Sequence, residues 1–107
     1  MFIGKVRGAV VATQKEPRMR EAKMLLVEAL TAGADGQPEL RPTGKMLVAL
    51  DALGAGEGEY VLVTQGSSAR MTEMTKTMPV DAVVIGIVDA VTIGPRVMSR
   101  TDGTLET

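Results

Sequence analysis

A chain of 107 residues with a formal charge of −1 fits a single domain. It holds no Cys and no His, which excludes thiol and imidazole catalysis, structural zinc and disulfides within the chain. Phe2 and Tyr60 are its only aromatics, so the core must come from small aliphatic side chains and eight Met.

A domain of this size buries roughly 65% of its unfolded surface, and oligomerisation would add burial. Residues 1–45 carry eight basic and five acidic groups, whereas residues 46–107 carry four and eight. That asymmetry can orient subunits. It is too mild for nucleic-acid binding, and no nucleic-acid partner is expected. The N-terminus lacks a basic region followed by a long apolar run, so no signal peptide is expected. No apolar stretch reaches about 18 residues, so no membrane partner is expected either. No EF-hand-like run of acids appears, and no metal site is expected.

Residues 3–13, IGKVRGAVVAT, read as a strand. Gly4 and Gly8 lie four apart on its Val6 face and suit bending in a small barrel. Residues 14–21 are polar, contain Pro17 and read as a loop, with a short helix after Pro17 as the competitor. Residues 23–30, KMLLVEAL, read as a second strand, although the residue types also suit a helix. Residues 32–45 hold three glycines and two prolines and read as a loop or broad hairpin tip. Strands are expected over residues 46–52 and 59–65.

Between those strands lies Gly54-Ala55-Gly56-Glu57-Gly58, with glycine at every second position. Alternate glycines leave one side of an extended backbone without Cβ atoms. That suits a flexible turn, close packing of another chain, or access for a ligand. Gly66-Ser67-Ser68-Ala69-Arg70 reads as a turn into a helix, since Ser favours the cap. The helix is expected over residues 67–78, with Met71, Met74 and Met78 on one stripe and Pro79 as its stop. Residues 80–93 form the last expected strand, broken by Gly94-Pro95. Its run from Ala82 to Val88 is apolar on both faces, so both need cover, which points to a subunit interface. Residues 96–107 read as a loose tail.

Chemistry is sparse. Asp51, Asp81 and Asp89 offer carboxylates, but nothing in the sequence brings them together. Ser67 and Ser68 have no His to activate them. The glycine run lacks the spacing of a dinucleotide loop, and Gly44-Lys45 lacks the rest of a phosphate loop. The fold class read from the elements is mainly β, a small five-stranded OB-like β-barrel with one short helix. An OB-like module binding nucleic acid or a peptide is the alternative, and two aromatics give it little to stack with.

Several blocks resemble one family. They are the opening Met1-Phe2-Ile3-Gly4-Lys5-Val6 with Gly8, Val10 and Ala12-Thr13-Gln14-Lys15, then Leu25-Leu26-Val27. The most diagnostic is Leu50-Asp51-Ala52-Leu53-Gly54-Ala55-Gly56-Glu57-Gly58-Glu59, followed by Val61-Leu62-Val63 and Gly66-Ser67-Ser68-Ala69-Arg70. Pro79-Val80-Asp81-Ala82 and Ile85-Gly86-Ile87-Val88-Asp89 close the set. Together they resemble the EutN/CcmL family of bacterial microcompartment vertex proteins, across residues 1–92.

The resemblance implies a vertex β-barrel domain over residues 1–92, with a C-terminal tail over residues 93–107. It implies a structural protein, not an enzyme, with no cofactor. It implies homopentamers that close the five-fold vertices of a shell in the bacterial cytoplasm, beside hexameric shell proteins. A ring uses head-to-tail contacts between unlike patches. The residues expected at or near those contacts are Asp51, Gly54, Ala55, Gly56, Gly58, Glu59, Gly66, Ser67, Ser68, Arg70, Ile85, Ile87 and Asp89.

Overall fold

The computed structural model describes residues 1–11, 23–33, 39–66 and 82–99. Its elements are β1 (Phe2–Val10), β2 (Lys23–Ala32), β3 (Leu40–Asp51), β4 (Tyr60–Gln65), β5 (Ala82–Ile87), β6 (Ala90–Ile93) and β7 (Arg96–Ser99). The first five close a barrel in the order β1-β2-β3-β5-β4, and β6 and β7 pair as a separate hairpin. All barrel pairings are antiparallel except β3 with β5, which run parallel through Leu50 and Val83.

Side chains alternate between the faces of a strand, and that alternation builds the interior. Val6, Leu25, Val27, Ala49, Ala55, Val61, Val63, Ala82 and Val84 are buried in one cluster, with Phe2 and Ile87 packed against it. Each large member contributes about 2 kcal/mol by leaving water. None exceeds Leu in size, which lets five strands close around them with side chains filling the interior. Gly4 belongs to this fit. A Cβ there would collide with Val27 Cγ1 and lie 3.1 Å from the Glu28 carbonyl oxygen.

A second cluster sits outside the barrel. Tyr60, Val88 and Met98 are buried there, with Ile3, Leu30, Leu40, Leu62, Val91 and Ile93 around them. Ile3 is opposite Leu62 and Lys5 opposite Tyr60, so this is the outer face of β1 and β4. The β6–β7 hairpin covers it.

Three expectations need correction. First, the expected fold class of a five-stranded OB-like barrel with one short helix loses its helix. Among the described residues every element is a strand, and the helix expected over residues 67–78 lies outside them. Second, residues 40–45 continue β3 instead of forming a loop. Pro42 sits opposite Leu30, and the register slips between Glu28 and Leu30, which absorbs Gly44 at φ 79° in a bulge. Third, residues 80–93 do not form one strand, and residues 96–99 are not loose. The chain turns at Val88-Asp89, then at Gly94-Pro95, and β7 pairs back on β6. Part of the cover for the two-faced strand therefore comes from the chain itself: Val88 is buried in a cluster with Met98, while Ile85 stays exposed.

Candidate functional site

β3 ends at Asp51, and residues 52–59 cross the end of the barrel to β4. The Asp51 side chain is buried and organises the crossing. Its Oδ1 accepts from the Leu53 N–H at 2.9 Å and its Oδ2 from the Ala55 N–H at 2.8 Å. Lys23, at the start of β2, donates to the Ala55 carbonyl at 3.3 Å. Ala55 is thus held at both backbone groups while its methyl plugs the core, fully buried.

The second half of the loop is fastened to β1. The Gly58 N–H donates to the Val6 carbonyl at 2.8 Å, and the Val6 N–H to the Glu59 carbonyl at 2.9 Å. Glu59 also closes the turn on itself. Its Oε1 accepts from the Gly56 N–H at 2.7 Å, and its own N–H donates to the Gly56 carbonyl at 3.1 Å. Gly54 and Gly58 stand at φ 84° and 87°, a region that costs L-residues roughly 1–2 kcal/mol. Gly56 does not share that conformation.

A polar cluster lies farther along the outside of β1 and β2. Glu28 is nearly buried and receives Arg7 through Nε at 2.8 Å and Nη2 at 2.6 Å. Its second oxygen accepts from the Gly44 N–H at 3.0 Å, inside the bulge. The Thr43 hydroxyl donates to the Ala29 carbonyl at 2.7 Å beside it. The Arg7 hydrogen bond is the main reason the Glu28 carboxyl is held below its ordinary range, and burial opposes it. Lys5 stands 5.5 Å from the centre of the Tyr60 ring. Burial first, and then the Arg7 charge, lower its pKa against the pull of Glu28. No group of three or more acids that could hold a metal occurs among the described residues.

The carboxylates of Asp51 and Glu59 are thus engaged by backbone amides, and that of Glu28 by Arg7 and the Gly44 amide. The family model for ethanolamine utilisation protein EutN/carboxysome matches residues 1–89. The chain belongs to this family. The carboxysome shell vertex protein CcmL of Gloeobacter violaceus is 44% identical over 96 residues, covering 90% of each chain. A solved structure of Gloeobacter violaceus CcmL has a TM-score of 0.83 at 43% identity, covering 95% of this chain and 100% of that one. The GrpN pentameric microcompartment shell protein from Rhodospirillum rubrum has a TM-score of 0.69 at 43% identity, covering 85% of this chain and 95% of that one.

The EutN/CcmL barrel distributes the expected contact residues in three ways. Gly54, Gly58, Gly66, Ile85 and Asp89 are exposed, and Gly56 and Glu59 are half-buried. Asp51 and Ala55 are buried within the subunit, and Ile87 packs on the barrel core. Ser67, Ser68 and Arg70 lie outside the described residues. The loop from Asp51 to Glu59 comes together as one unit next to β1.

Sequence reasoning missed Lys23, the Arg7–Glu28–Gly44 cluster, and the exposed face of β3. Only the last had a signal. Residues 46–50, MLVAL, are apolar on both faces, as residues 82–88 are. The polar cluster had none, because its members are far apart in sequence and meet only through two bulges.

Proposed function

We propose that this protein is a structural shell component that assembles as a homopentamer and caps the five-fold vertices of a bacterial microcompartment in the cytoplasm. Its work is geometric and not catalytic. A flat hexagonal sheet closes into a polyhedron only where five-fold units replace six-fold ones. The observation that carries this reading is the match of the whole barrel, at 43% identity, to the shell vertex protein fold of Gloeobacter violaceus CcmL. The pentameric GrpN relative supplies the number five.

The loop from Gly54 to Glu59, together with Gly66, Ile85 and Asp89, lies at or near the subunit contacts. Ser67, Ser68 and Arg70 belong to the same proposal. Asp51, Ala55 and Ile87 act from inside the subunit, by shaping the surface that the neighbour meets. The rim of the ring meets hexameric shell proteins.

Native mass spectrometry over a range of concentrations tests the reading. A five-subunit species that persists on dilution is expected. A stable dimer or hexamer overturns it.

A further inference from the structure

The glycine loop between β3 and β4 is ordered inside its own subunit. Residues 52–59 include Gly54, Gly56 and Gly58, and glycine loses more conformational freedom on ordering than any other residue. A stretch of this kind left loose would have to be ordered at the moment of contact, which weakens association. The bonds within the subunit remove that cost beforehand. Asp51 accepts the Leu53 and Ala55 amides, Gly58 and Glu59 pair with the backbone of Val6, and Glu59 closes on Gly56 through both its carboxylate and its amide.

Lys23 adds a bond of another kind, from a side chain of a different strand. It opens β2 and stands opposite Asp51 in register, so its stem starts beside the root of the loop. Its Nζ donates to the Ala55 carbonyl at 3.3 Å, across 32 positions of sequence. The Ala55 amide and methyl already belong to the barrel, through Asp51 and the core. The carbonyl is the first group on the way out, and the planar peptide it belongs to sets the direction in which residues 56–58 leave the plug. Lys23 itself is exposed, and its bond is longer than the 2.7–3.1 Å of those just named. A long bond from an exposed side chain contributes little to the fold as a whole. What it restrains is the run Gly56-Glu57-Gly58.

We propose that Lys23 is a positioning residue for assembly: through the Ala55 carbonyl it holds residues 56–58 in the shape that the next copy in the ring meets. This rests on the reading that the loop lies at a subunit contact. Loss of the ammonium leaves the barrel folded and loosens the loop, so neighbouring copies part more readily.

Lys23→Met keeps an apolar stem and removes the donor, whereas Lys23→Arg keeps a cationic donor. Native mass spectrometry follows the exchange of subunits between unlabelled and isotope-labelled pentamers. Hydrogen exchange read by mass spectrometry follows residues 52–59, with β4 as the internal control. For Lys23→Met the expected result is subunit exchange about fivefold faster than wild type, the effect of losing roughly one hydrogen bond. Deuterium uptake should rise in residues 52–59 and stay unchanged in β4. Lys23→Arg should remain close to wild type on both readouts. Wild-type rates of subunit exchange for Lys23→Met, in samples that are pentameric, overturn the proposal and leave the pentamer standing. Faster subunit exchange without faster uptake in the loop also overturns it, because the lysine would then act elsewhere. So does a loss of the fold or of protection in β4, which would make the residue structural, and so does a Lys23→Arg protein that behaves like Lys23→Met. A wild-type chain that forms no pentamer overturns the parent reading and this one with it.

Discussion

The Asp51 carboxylate accepts the Ala55 amide at 2.8 Å, and this bond ties the end of β3 to the plug of the barrel. The same carboxylate takes the Leu53 amide at 2.9 Å. Hydrogen bonds to a charged group are worth about 1.5–3 kcal/mol each, and a buried amide left unpaired costs a similar amount. Asp51→Ala should therefore destabilise the subunit by about 3 kcal/mol. Asp51→Asn keeps one acceptor oxygen and should lose roughly half as much. Urea unfolding at fixed protein concentration measures both, since assembly also shifts apparent stability. Equal stability of the alanine variant and wild type would show that the loop holds without its anchor.

Gly4 and Gly8 look alike in sequence and differ in the barrel. A Cβ at Gly4 collides with Val27 Cγ1, with the Glu28 carbonyl close behind, and neither can retreat from a closed sheet. Gly4→Ala should cost about 1–3 kcal/mol, the usual range for overpacking. Gly8→Ala has open space and should change subunit stability by less than about 0.5 kcal/mol. Thermal melts of the two variants side by side decide this, and similar melting points would contradict it.

The strand cores were legible from short runs rich in Val, Leu and Ala: Lys23 starts β2 and Gln65 ends β4 as the sequence reading has them. What was not legible was where strands tolerate breakers. Pro42 and Gly44 read as loop, yet Pro42 keeps its place opposite Leu30 and Gly44 drops into a bulge held by Glu28. The two-faced apolarity of residues 82–88 was visible, but its cover was not. Val88 is covered by a hairpin that packs on the outside of the barrel only in the tertiary fold, Val83 is buried within the chain, and Ile85 alone of the three is exposed. At the candidate site the glycine spacing was plain, while the reason for each glycine was not. Gly54 and Gly58 answer to backbone conformation, and Gly56 does not.

Gly56 therefore separates fold from assembly. Its φ is ordinary, and a Cβ would lie 3.5 Å from Glu59 Oε1, a normal contact. Nothing described in its own subunit requires glycine there. Gly56→Val should leave the circular dichroism spectrum of the chain unchanged and shift native mass spectra from pentamers toward smaller species. Gly58→Ala, at φ 87°, should instead lower subunit stability by roughly 1–2 kcal/mol. A Gly56→Val protein with wild-type assembly and melting curve would remove the idea of close approach at this residue.

Glu28 gives the barrel an acid limit. Its folded pKa lies below the ordinary value of 4.5, chiefly because Arg7 donates to its carboxylate. An acid whose folded pKa is depressed stabilises the fold above its unfolded pKa. That contribution fades as pH falls through the folded value. The stability of the wild-type subunit should thus decline below about pH 4.5, as protonation releases Arg7 and weakens the hold on Gly44. Glu28→Gln keeps an acceptor for the Gly44 amide and removes the titration. It should be less stable than wild type at pH 7 and approach it as the pH drops. Urea midpoints measured from pH 7 to pH 3 test this, and parallel curves for the two proteins would mean that the Arg7 pair contributes nothing to the acid response.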